Sequence, residues 1–167
     1  MKPGNHPLIR LKSKRLLWLW RRFTSQPSGK RALLLEAAFW LTAARLAVAF
    51  VPFPRISRFL GGMRSPEPGL REYAHSPAPA REIGWAIERV AAVLPFPVVC
   101  LPRGLAAWQM LHRRGVPARL HFGVTRAGRK EGIQAHAWLD SCGVEVCGYP
   151  EAMECVEIGF FGWPADR

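Results

Sequence analysis

The sequence is short of acid where it is richest in base. Residues 1–60 hold twelve Lys and Arg against one acid, Glu36, whereas residues 61–167 hold twelve against eleven. Of the net charge of +12, residues 1–60 therefore carry +11, and the remainder is close to neutral at +1. Several functional signatures are missing as well. No helix-turn-helix, zinc-finger or RNA-recognition pattern accompanies the positive charge, so nucleic acid is not an expected partner. No Gly-rich phosphate loop and no H-E-x-x-H pair occur, which argues against the nucleotide and zinc-hydrolase chemistries they support. No internal repeat is visible. A secretory signal is also lacking. "LLWLW" is too short for one and is followed by Arg21 and Arg22 rather than a small-residue cleavage site, so a cytoplasmic location is expected.

Cysteine is sparse, with Cys100, Cys142, Cys147 and Cys155 the only four. Without an export signal, a disulfide framework is not expected. The last three read C-x4-C-x7-C and lack the paired C-x2-C knuckles of structural zinc, so no metal is assigned. An uninterrupted apolar run of membrane-spanning length is absent too. "ALLLEAAFWLTAARLAVAFVPF", residues 32–53, comes near it, but Glu36 and Arg45 break it. Each charge costs roughly 2.5–3.5 kcal/mol near a bilayer centre. This stretch reads as a helix that is buried or lies on a membrane surface. Together with "KSKRLLWLWRRF" it makes residues 16–53 a candidate for peripheral contact at the inner membrane face.

What is present suits one globular domain of an ordinary apolar fraction. Residues 1–29 read as a basic arm and linker, ending in "TSQPSGK", and residues 30–167 as the folded part. Helical spacing is expected near Leu16–Phe23, Lys30–Phe50 and Ile56–Leu60. It recurs in "REIGWAIERVAAVL", where Ile83, Ile87, Val90 and Leu94 share a face. The next helix begins near Cys100. Pro102 suits its first turn, Leu105, Trp108 and Leu111 form its apolar stripe, and Arg103, His112 and Arg113 can reach water. Gly115 and Pro117 stop it. Period two then takes over in "ARLHFGVT", "IQAHAWLD" and "VEVC", joined by "RAGRKEG" and "SCG". The expected fold is α+β, with helices followed by an antiparallel meander on which the Cys-bearing helix packs.

That layout supports a specific chemistry. Cys100 at a helix start meets unpaired backbone N–H groups and the positive end of the helix dipole, both of which favour thiolate. His136, mid-strand on the face of Gln134 and Trp138, is the candidate base. His121, on the neighbouring strand, is a weaker substitute. A Cys on a helix and a downstream His on a sheet describe a papain-like nucleophilic site. The developing oxyanion needs donors, for which the Cys100 backbone N–H, Gln134 and Trp138 are candidates. No cofactor is required.

"CLPRGLAAWQMLHRRGVPARLHFGVTR" followed by "AHAWLD" resembles the transglutaminase-like core of bacterial lasso-peptide leader peptidases, a cysteine-protease domain reduced to its Cys helix and His strand. "RALLLEAAFWLTAARLAVAFVPF" and "IGWAIERVAAVLPFPVVCLPRG" resemble that family's helical lead-in, so the likeness covers roughly residues 30–150. The resemblance implies Cys100 as nucleophile and His136 as general base. It also implies cleavage of a ribosomally made precursor, which frees an amine for a separate ATP-dependent cyclase. Short members of that family lack the leader-gripping module, which implies a separate leader-binding protein. One departure stands out. The family usually carries an acid on the strand after the histidine, yet a two-residue turn at Cys142–Gly143 puts Tyr149 opposite His136, and a three-residue loop puts Gly148 there. Glu145 or Glu151 approaching after a bulge, the Tyr149 hydroxyl, a backbone carbonyl or a water are the remaining ways to orient the ring. Two rival functions stay open: an acyl transferase using the same thioester, and a non-catalytic basic scaffold of a membrane-associated assembly.

Overall fold

A computed structural model describes residues 24–66, 75–126 and 133–163. The expected helix near Leu16–Phe23 lies outside the described residues. Packing divides the chain into residues 1–33 and residues 34–167. In the first unit the chain enters helix α1 (Ser28–Phe50), two residues earlier than the periodicity predicts, and the helix continues into the second. Its Ala- and Leu-rich sequence favours helix until Pro52 and Pro54, which lack the N–H needed to continue it.

Helix α2 (Phe53–Phe59) starts at once, because Pro54 is tolerated in a first turn. Helix α3 (Ala78–Ala91) buries Ile83, Ile87 and Val90 on one face, and stops short of Leu94. Helix α4 (Cys100–His112) has Cys100 as its first residue. It closes with Gly115 at φ 67° and a Val116 N–H to Leu111 carbonyl bond of 3.1 Å, a left-handed cap that satisfies the last turn.

Strands β1 (Ala118–Arg126), β2 (Ile133–Ser141), β3 (Val144–Cys147) and β4 (Val156–Trp163) form one antiparallel sheet in the order β3-β2-β1-β4. The first three form the expected meander, and the fourth strand, which was not expected, adds to it. After β3 the chain passes through a 3-10 turn at Glu151–Glu154 and returns on the far side of β1. Its alternation is obscured in "VEIGFFGW" by Gly159 and Gly162, and by a register shift against Phe122/Gly123. Backbone bonds between Arg64 and Phe160 extend the sheet beyond β4.

Helix α3 packs on β3, and α4 packs on β1 and β2. The α3–β3 contact is backbone to backbone: a Cβ on Gly84 would sit 2.7 Å from the Val146 carbonyl oxygen. Ile83, Ile87, Met110, Leu111, Leu120, Leu139 and Phe161 fill the core. The protein is thus an α+β domain in which helices cover a small antiparallel sheet.

Candidate active site

Cys100 owes its position to what precedes and follows it. Val99 is extended, so the chain turns into α4 at the cysteine itself. The N–H groups of Cys100 and Leu101 then have no intrahelical acceptor, and Pro102 has no N–H to satisfy. Arg103 braces this start. Its Nε donates to the Val98 carbonyl at 2.9 Å, and its Nη1 pairs with Glu88 of α3 at 3.2 Å. Arg103 is therefore occupied by structure rather than turned to water alone, a role that the helical spacing did not reveal.

His136 sits where the sheet edge is open. β3 pairs with β2 only from Leu139 to Ser141, with a bulge between Leu139 and Asp140, and the ladder ends at the Leu139–Cys147 pair. The chain then bends back at Gly148, φ 88°, and its carbonyl accepts a 2.8 Å hydrogen bond from His136 Nε2. A carbonyl only accepts, so Nε2 carries the proton and Nδ1 is the basic nitrogen of the neutral ring. Trp138 stacks on His136 with centroids 6.2 Å apart and planes 17° apart, which limits rotation of the imidazole.

Cys100 and His136 line one cleft of about 500 Å³, together with Glu88, Arg103, Gly148, Tyr149 and Glu151. The structure therefore brings together the two residues singled out for nucleophile and base, at the open edge of β2. The candidates for a third member fare differently. Tyr149 and Glu151 reach the cleft, whereas Glu145 lies opposite Asp140 and is not among its lining residues. None of the three side chains holds the imidazole; the Gly148 backbone does. Burial, aided by the charges of Asp140 and Glu145, pushes the Tyr149 phenol far up, so it remains a neutral hydroxyl. Of the candidate oxyanion donors, the Cys100 N–H stands at the helix start. Gln134 is exposed outside the cleft lining, and Trp138 is engaged in stacking.

His121 is removed as a substitute base. It is buried, with Nε2 2.8 Å from Asp140 and Nδ1 2.7 Å from Glu157. Burial alone would lower its pKa and is the largest single effect, but the hydrogen bonds and charges of the two carboxylates outweigh it and hold the ring above its ordinary value. Both nitrogens are committed, and the ring stacks on Trp138 with centroids 5.4 Å apart. This cluster was not foreseen, since Glu157 belongs to the unanticipated β4.

The four cysteines are free thiols. Cys147 is fully buried and its thiol is pushed up to about 12, chiefly by burial. Cys155 donates to the Glu151 carbonyl at 3.4 Å. Among the described residues, no group of three or more His, Cys, Asp or Glu side chains could hold a metal.

A family model for the transglutaminase-like superfamily matches residues 40–156, a span containing Cys100, His136 and every residue lining their cleft. No curated protein and no solved structure matches the chain. The chain belongs to the transglutaminase-like superfamily, whose members are usually cysteine peptidases or acyltransferases.

Proposed function

We propose that this protein is a cytoplasmic cysteine peptidase that removes the leader from a ribosomally made lasso-peptide precursor. It acts with a separate leader-binding protein and prepares the freed amine for an ATP-dependent macrolactam cyclase. The observation that carries the peptidase reading is the shared cleft, with Cys100 at a helix start and His136 tethered through Nε2. The lasso-peptide assignment is supported by the likeness of "CLPRG" and "AHAWLD" to that family.

In this mechanism His136 Nδ1 takes the proton of Cys100, and the sulfur attacks the scissile carbonyl. The tetrahedral oxyanion is held by the backbone N–H of Cys100, where helix-start donors already point. Protonated His136 then gives its proton to the leaving amine, and water hydrolyses the thioester. The Gly148 carbonyl keeps the ring in the required tautomer throughout.

The test is precursor cleavage with the leader-binding protein present. Wild type should release the leader as a free acid, and Cys100→Ala should release none. Cleavage by Cys100→Ala at the wild-type rate would overturn the reading. A leader–amine adduct in the mass spectrum would instead assign acyl transfer. Function surviving complete thiol alkylation, but lost on deleting the arm, would assign the scaffold.

A further inference from the structure

We infer that the outer surface of α1 and α2 docks on an anionic lipid bilayer, with α1 lying in the plane of the interface. Along α1, Leu35, Phe39, Leu46 and Phe50 follow one another at spacings of four, seven and four residues. At 3.6 residues per turn these fall in a single narrow stripe. The stripe faces outward, with the four side chains 61%, 63%, 52% and 80% exposed. Helix α2 continues it with Phe53 and Phe59, and Val51 and Met63 are exposed beside them. Single exposed apolar residues are ordinary, but a contiguous patch of large ones marks a contact surface. Phe59 also borders an apolar groove of about 410 Å³ between α1, α2 and α4, walled by Trp40, Ala47 and Trp108. It offers room for the end of an acyl chain.

Charge decides what kind of surface this patch meets. Arg45, Arg55 and Arg58 flank it, and the only acid between residues 34 and 63 is Glu36. Glu36 is not available to repel an anion. It faces the turn that follows α4, where Arg114 Nη1 bonds it at 3.0 Å and Arg113 approaches to 3.8 Å. Along residues 34–63 the outward face is thus apolar and cationic, with the one acid of that stretch turned inward, the composition of an interfacial helix on acidic lipid.

A spanning orientation is a different matter. By length and composition alone α1 is long and apolar enough to cross a bilayer. Crossing would expose Ala37, Leu41 and Ala44, which are packed away from solvent, and would pull Glu36 from Arg114. Lying flat keeps both.

The experiment uses the full chain and sedimented vesicles of phosphatidylglycerol and phosphatidylethanolamine, with pure phosphatidylcholine vesicles as comparison. Wild type should bind the anionic vesicles, bind the neutral ones less, and be extracted by alkaline carbonate. The triple variant Phe39→Ser, Leu46→Ser, Phe50→Ser should lose binding by about tenfold or more, as expected when three large apolar side chains are withdrawn from lipid. Arg55→Glu with Arg58→Glu should weaken binding to anionic vesicles alone. These side chains are exposed, so both variants should keep the wild-type circular dichroism and precursor cleavage in lipid-free buffer. That separates this inference from the peptidase assignment. The inference is overturned by absent binding to anionic vesicles, by equal binding of the triple variant, or by resistance to carbonate extraction. It is overturned equally if the stripe mediates self-association or a protein complex without lipid binding.

Discussion

Gly148 is the position where a single methyl group tests the most. Its φ of 88° lies in the region that side-chain-bearing residues avoid, and a Cβ there would stand 2.7 Å from the Ala137 carbonyl oxygen and 2.8 Å from Trp138 Cα. The left-handed conformation alone costs roughly 1–2 kcal/mol for a residue with a Cβ. The obstructing atoms are largely backbone, so the loop must move rather than a flexible side-chain tip. For a domain of this size each kcal/mol shifts Tm by about 2–4 °C, so Gly148→Ala should melt about 4–8 °C lower if the total is near 2 kcal/mol. Movement of the loop also withdraws the acceptor of His136 Nε2. A hydrogen bond to a group that becomes charged contributes roughly 1.5–3 kcal/mol, which corresponds to a loss of about one to two orders of magnitude in kcat. The assays are thermal melting by circular dichroism and precursor cleavage well below the melting point of the variant. A variant that melts and cleaves like wild type would refute both the steric argument and the role of the carbonyl.

Three further outcomes follow from other contacts. Gly84→Ala sets helix propensity against sterics. Alanine gains about 0.8–1.0 kcal/mol in a helix interior, but overpacking against the Val146 carbonyl costs typically 1–3 kcal/mol, so denaturant unfolding should show net destabilisation, and a stabilised variant would contradict the α3–β3 approach. The folded state binds the His121 proton more tightly than the unfolded state does. The resulting stability is complete below the ordinary pKa of 6.5 and is lost as pH rises through the elevated folded value, whereas His121→Gln should show a flatter pH dependence in urea unfolding. Arg103→Ala removes both the Val98 bond and the Glu88 pair, so it should slow precursor cleavage while leaving leader-peptide affinity unchanged; an unaltered kcat would deny Arg103 its bracing role.

Much of this architecture is written locally. Ile83, Ile87 and Val90 announce α3 through spacing alone, and Gly115 with Pro117 announces the end of α4. Cys142–Gly143 forms the two-residue turn, with both residues at positive φ, as such hairpin turns demand. Cys100 at a helix start and His136 in a strand were legible for the same reason. What was hidden depends on distant partners. A bulge between Leu139 and Asp140, which no local pattern encodes, shifts the register of the ladder, so counting residues across the hairpin reached the neighbourhood of Gly148 without fixing the acceptor. The partners of His121 come from β2 and from β4, and β4 was masked by its glycines. The occupation of Arg103 by Val98 and Glu88 is likewise a tertiary fact. The outward stripe of α1 was visible as apolar sequence, but only the inward turn of Glu36 shows how its charge is resolved.

The central claim is that the thiol of Cys100 and the imidazole of His136 work as a pair. Peptide mapping of the folded protein after brief iodoacetamide treatment at neutral pH tests it most directly, with buried Cys147, its thiol pushed up to about 12, as the unreactive internal standard. The account predicts that Cys100 is alkylated faster than Cys142 and Cys155 in wild type, and that His136→Ala abolishes this advantage. Equal labelling of Cys100 in both proteins, or labelling no faster than Cys142, would contradict it.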